Sequence, residues 1–168
     1  MQVIYVDTYY FQGYLWGEEG TDEKEDATEN LNKLKYEVGK YGIKVKIPFI
    51  VLGELTNNLI KEEFERTRTE GIMQDFFRLR KDLDADIVPP DRKCYFKTQT
   101  LIKEDSRLIE RDPTDCLIAL CALCDPYSTY LLMPDTSIIG AHSLTKIEKD
   151  MRENGERNEK LHITYSYV

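Results

Sequence analysis

Two short runs, "QVIYV" at residues 2–6 and "TYLLMP" at 129–134, constrain the fold of this chain more than anything else in it. Both are almost wholly apolar, and each is followed at once by an aspartate, Asp7 and Asp135. A strand without polar–apolar alternation has no solvent face, so it belongs at the centre of a sheet covered on both sides. Such sheets are built from parallel strands joined by helical crossovers.

The sequence between the two runs supplies those crossovers. Residues 8–16 are aromatic and helical in pattern, and 22–41 read as a helix with Leu31, Leu34, Tyr36 and Val38 on one face. "IKVKIP" (43–48) alternates apolar and basic residues, a strand that stops at Pro48. "FIVLGELTNNLIKEEFERTR" reads as a helix, "GIMQDFFRLRKDL" as another amphipathic piece, and "ADIVPP" (85–90) as a third strand. Residues 91–110 and 113–124 form two helices separated at Asp112-Pro113. After the strand at 129–134 come a polar helix, 143–153, and a last strand in "KLHITYSYV". The prediction is one α/β domain over residues 1–168: three layers, α/β/α, around a mostly parallel sheet of about five strands. Residues 17–30 stand out as an acidic insertion and the most variable loop.

Four acids occupy one recurring kind of place. Asp7 follows the first strand, Glu54 sits in the helix after the second, Asp115 lies in the first turn of the helix before the fourth, and Asp135 follows the fourth. In an open parallel sheet, ligands bind beyond the carboxyl ends of the strands where the strand order reverses. Each acid also has a plainer explanation. Asp7 and Asp135 could cap helices, and in "ERDPTDCLIALCALC" Asp112 suits an N-cap, Pro113 the first helical position and Asp115 a capping-box acid. Glu54 resists that explanation, because a carboxylate among the apolar residues of "PFIVLGELTNNLI" costs several kcal/mol unless it is paired or bound to metal. Four carboxylates without matching buried lysines or arginines call for cations, and oxygen donors of this kind suit Mg²⁺ or Mn²⁺.

Charge and cysteine content narrow the alternatives. The net charge is −8, but residues 18–29 hold seven acids against one lysine, leaving only −2 for the rest. The next stretch reverses sign with Lys33, Lys35, Lys40, Lys44 and Lys46 against Glu37, and a second basic group includes Arg66 and Arg68. Local patches, not the sum, decide whether a polyanion binds. Of the four cysteines, Cys116, Cys121 and Cys124 share one apolar helix and Cys94 lies apart. A zinc site needs about four convergent ligands, so buried packing is the expected role of these thiols. No run approaches the ~18 apolar residues of a membrane span, and "MQVIYVD" lacks a signal-peptide pattern. The expectation is a cytoplasmic protein that does not meet a membrane.

The succession "IYVDTYYFQGYL", "KIPFIVLGEL", "RDPTDCLIALCAL" and "YLLMPDTSII" resembles the PIN-domain family of metal-dependent ribonucleases, across roughly residues 2–142. The resemblance implies a sheet of order 3-2-1-4-5 and matches Asp7, Glu54, Asp115 and Asp135 to the family's four metal-site acids. It also matches Thr8 to the hydroxyl residue that often follows the first acid. The chain departs from the family at Met133-Pro134, where a Thr or Ser usually stands two residues before the fourth acid. By this resemblance the chain would be an Mg²⁺- or Mn²⁺-dependent ribonuclease, toxin-like, dimeric, with RNA as substrate and an antitoxin-type protein as partner. Thr8, Thr136, Ser137, Lys33, Lys35, Arg66 and Arg68 are candidates for RNA contact. The competing reading is a PIN-like module without catalysis that binds protein or RNA. A phosphotransfer site on Asp7 fits less well, since "DTY" lacks a second Asp and no glycine-rich loop follows the strand.

Overall fold

A computed structural model describes residues 2–167, and five parallel strands form its sheet in the order β3-β2-β1-β4-β5. The strands are β1 (Val3–Val6), β2 (Lys44–Pro48), β3 (Asp86–Val88), β4 (Ser128–Leu132) and β5 (His162–Thr164). All four residues of β1 are buried, as its unbroken apolar sequence requires of a central strand. In β2 the alternation is real: Val45 and Ile47 are buried while Lys44 and Lys46 are half-exposed.

The helices up to β3 are α1 (Thr8–Trp16), α2 (Asp22–Tyr41), α3 (Phe49–Lys61) and α4 (Arg66–Asp82). From β3 onward come α5 (Arg92–Glu104), α6 (Ser106–Arg111), α7 (Pro113–Cys124), α8 (Thr136–Ile139) and α9 (His142–Glu153). Right-handed crossovers put α1, α2 and α4 on one face and α5, α7 and α9 on the other, because the chain steps one way from β1 to β3 and the opposite way from β3 to β5. The reversal falls between β1 and β4; Asp7 follows β1 directly, and Asp135 comes three residues after β4, past Met133-Pro134.

Several expectations need correcting. Within the acidic segment only residues 17–21 are loop; 22–30 are the opening turns of α2. They are held there because Gly13 brings α1 close: a Cβ on it would lie 2.7 Å from the Glu23 carbonyl oxygen and 2.8 Å from the Ala27 Cβ. Leu31 and Leu34 are buried and Val38 packs against the core, but Tyr36 is exposed. The helix from 49 stops at Lys61, where Glu63 takes a left-handed φ of 52°, and the next begins at Arg66, earlier than its amphipathic pattern suggests. The segment 91–110 is broken at Asp105, whose carboxylate accepts from the Leu108 N–H at 3.1 Å and the Ser143 hydroxyl at 3.3 Å. The short α8 was not anticipated, and the last strand is confined to three residues.

Candidate metal centre

Asp7 leaves β1 with its backbone N–H donating to the Leu132 carbonyl at 3.0 Å, which ties it to the end of β4. Its extended backbone makes it the N-cap of α1, and one carboxylate oxygen accepts from the Tyr9 N–H at 3.5 Å. The other oxygen, Oδ1, is buried without a hydrogen-bond partner. Only 5 % of the residue is exposed. Burial first, then the neighbouring charges of Asp115 and Glu54, push its pKa up to about 7 against the partial relief of backbone hydrogen bonds.

Glu54 arrives from the second turn of α3, which starts directly where Pro48 ends β2. The Thr8 hydroxyl donates to its Oε2 at 2.5 Å, and the Asn58 amide donates to Gln12 at 3.0 Å, fastening α3 to α1 behind it. Asp115 stands in the first turn of α7, a helix buried at eight of its twelve positions. Burial, then the charges of Glu54, Asp135 and Asp112, raise its pKa to about 6. One carboxylate oxygen from each of Asp7, Glu54 and Asp115 lies within 4.8 Å of the other two.

A second group shares a member with the first. Asp112, Asp115 and Asp135 also place an oxygen each within 4.8 Å of one another. Asp135 N-caps α8, accepting from the Ser137 N–H at 2.6 Å and more distantly from Ile138. Burial opposes its ionisation, but Ser137 beside it, the Ile138 N–H and the Arg111 charge outweigh that and lower its pKa. The Met133-Pro134 pair does not hold Asp135 away from Asp115. Met133 continues the sheet by donating to the Thr164 carbonyl at 3.0 Å, and the chain turns into α8 after it.

Among the described residues, none of Asp7, Glu54, Asp115 and Asp135 forms an ion pair. Two oxygens on opposite sides of an octahedral Mg²⁺ stand about 4 Å apart, so the Asp7–Glu54–Asp115 group has the dimensions of a cation site. The orphaned Asp7 oxygen and the all-carboxylate donor set fit a hard divalent ion.

The candidate RNA contacts are scattered. Thr8 is in the site through Glu54, and Thr136 and Ser137 form the turn that caps on Asp135. Lys33 donates to the Tyr167 carbonyl at 2.9 Å, and Lys35 to the Tyr14 hydroxyl at 3.0 Å. Arg66 pairs with Glu70, and Arg68 lies over the Phe64 ring at 3.9 Å. Two arginines and one acid near the site were not singled out from the sequence as site residues. Asp112 is N-cap of α7 by position, yet its side chain makes no capping hydrogen bond and takes the Arg111 guanidinium at 2.7 Å. Arg111 and Arg107, one turn apart on α6, line a cleft of about 210 Å³ with Ser137. The i, i+4 spacing of two arginines directly before "DPTD" was the available signal.

No family model matches the chain, and none of the curated proteins matches it. Among solved structures it is similar to a chain in the crystal structure of VapBC2 from Rickettsia felis bound to a DNA fragment from their promoter. The two superpose with a TM-score of 0.55 over 95% of this chain and 98% of that one, at 15% identity. Identity that low speaks for fold alone, and the fold that the strand order and this likeness together give the chain is PIN-like.

Proposed function

We propose that the chain is a divalent-metal-dependent endoribonuclease that hydrolyses RNA phosphodiester bonds with Mg²⁺ or Mn²⁺. The observation that carries the reading is the convergence of Asp7, Glu54 and Asp115 beyond the carboxyl ends of β1 and β2, with Asp135 reached through Asp115. A bound ion would supply Lewis acidity, lowering the pKa of a coordinated water and clamping the scissile phosphate. Asp7 and Asp115 would hold the ion as ionised carboxylates. Thr8, by donating to Glu54, holds that carboxylate against the first turn of α1, beside Asp7. Asp135, with its lowered pKa, stays ionised and draws charge toward the shared rim. The test is incubation of the purified chain with RNA: cleavage should require Mg²⁺ or Mn²⁺ and stop in chelator. Intact RNA with both ions would leave a PIN-like module without catalysis.

RNA would enter over α6, where Arg107 and Arg111 line a cleft with Ser137 and the Arg111 guanidinium pairs with Asp112 through an exposed contact. Arg111→Ala is expected to weaken RNA binding several-fold and to lower the steepness of its salt dependence by about one ion. Filter-binding titrations at several salt concentrations, with a chelator present to prevent cleavage, read both quantities. An unchanged salt slope would move the RNA path elsewhere.

The likeness to a complex named VapBC2 supports an antitoxin-type partner for this chain, and the same reading includes a homodimer. Light scattering on the purified chain, whose monomer is 19.7 kDa, should give twice that mass; a monomer removes the dimer from the proposal.

A further inference from the structure

We propose that Cys94, Cys121, Cys124 and Asp91 form a second metal site, which takes a thiophilic divalent cation, Zn²⁺ by its donor set, at the end of α7 opposite Asp115. The spacing "CALC" alone offered two ligands. The fold adds two more from the start of α5, across a helix–helix contact. Asp91 N-caps α5, accepting from the Cys94 N–H at 2.9 Å. One oxygen of Asp91 and the sulfurs of Cys94 and Cys124 all lie within 4.8 Å of one another. The Cys94 thiol donates to the Leu120 carbonyl at 3.7 Å, and Cys121, one turn before Cys124 on α7, lines the same cleft as the other three ligands. Sulfurs around a tetrahedral Zn²⁺ at 2.3 Å would stand about 3.8 Å apart, a small side-chain adjustment from this arrangement.

All four thiols are buried in the core, as expected, but three of them also border a cleft. Cys94, Cys121 and Cys124 line a cleft of about 350 Å³ together with Tyr5, Lys46 and the exposed Asp91, which gives their sulfurs an outlet to the surface. Cys116, on the same helix, is fully buried and lines no part of that cleft. All four cysteines are free, so the sulfurs are available as ligands. Three soft sulfurs and one carboxylate select Zn²⁺ over Mg²⁺, the reverse of the acidic centre. Binding displaces thiol protons and changes no oxidation state. Since Cys124 stands nine residues after Asp115 on α7, the two sites sit roughly 14 Å apart along it. An ion here would clamp the far end of the helix whose first turn presents Asp115.

Cobalt reads the site directly. One equivalent of Co²⁺ added to the reduced, metal-free chain should produce thiolate-to-cobalt charge-transfer absorption and the strong visible bands of a tetrahedral ion, and Zn²⁺ should bleach them. The Asp7→Asn/Asp115→Asn double variant should keep that spectrum, because the acidic centre offers only oxygen. Cys124→Ser should lose most of it. Asp91→Asn, which retains the α5 cap, should weaken Co²⁺ about tenfold. Zn²⁺ at about 100 times its Kd should raise Tm by roughly 5–10 °C in the wild type. A wild-type chain that gives no more than the weak spectrum of oxygen-ligated cobalt would overturn the proposal, and so would a thiolate spectrum that survives Cys124→Ser unchanged.

Discussion

Asp115→Asn and Asp7→Asn are each expected to reduce metal-dependent RNA cleavage by at least about a thousandfold, while the chain stays folded. A thousandfold corresponds to about 4 kcal/mol of transition-state stabilisation, the scale on which a catalytic cation acts. Both substitutions keep shape and remove charge. Asn at position 7 can still accept from the Tyr9 N–H, and α7 does not rely on Asp115 for its burial. Glu54→Gln should cost less, about a hundredfold, because it leaves the two principal ligands in place. Single-turnover cleavage at saturating Mn²⁺ is the measurement, with circular dichroism on the same samples. Retention of more than about a tenth of wild-type activity by Asp115→Asn would remove the acidic centre from the chemistry.

The framework was readable because its signals are local and strong. Strand β1 has no polar face, so burial on both sides follows from the residues themselves, whereas β4 is buried at Ser128, Leu131 and Leu132 and half-exposed at Thr129 and Tyr130. What escaped was decided by contacts distant in sequence or by unusual backbone. Glu63 ends α3 in a left-handed conformation that glutamate seldom adopts, so no glycine marks the break. Asp105 splits α5 from α6 with help from Ser143, 38 residues later.

The site divides in the same way. Asp7, Glu54, Asp115 and Asp135 could be singled out because acids at the ends of apolar elements are costly without a partner. Asp112 escaped because Pro113 after it offered a sufficient local explanation, helix initiation. Its backbone, φ −134° and ψ 68°, instead leaves the carboxylate free of the cap and turned to Arg111. Lys33 and Lys35 looked like RNA contacts by charge alone, but side-chain length lets each reach a tyrosine in the fold. Charge patterning reports what a surface carries, not which of its charges are already engaged.

Removal of the Asp7 charge is expected to stabilise the metal-free chain at high pH. Folding raises the pKa of this carboxyl from 3.8 to about 7, chiefly through burial. The folded state therefore holds its proton more tightly than the unfolded state. Its contribution to stability is complete below about pH 4 and is lost as the pH rises toward 7. Asp7→Asn has no such titration. Between pH 5 and 8 its stability in chelator should gain on the wild type by about 3 kcal/mol, roughly 5–10 °C in Tm. Added Mg²⁺ should close that gap at pH 8 by raising the wild type alone, since proton and metal compete for the same oxygens. A residue that served only as the N-cap of α1 would behave differently. Its replacement would cost about 1 kcal/mol or less at every pH, and Mg²⁺ would change nothing. Thermal unfolding of both proteins at pH 5 and pH 8, with and without Mg²⁺, separates the two. An Asp7→Asn chain less stable than the wild type at pH 8 in chelator would show that the buried carboxylate is not held at the expense of the fold.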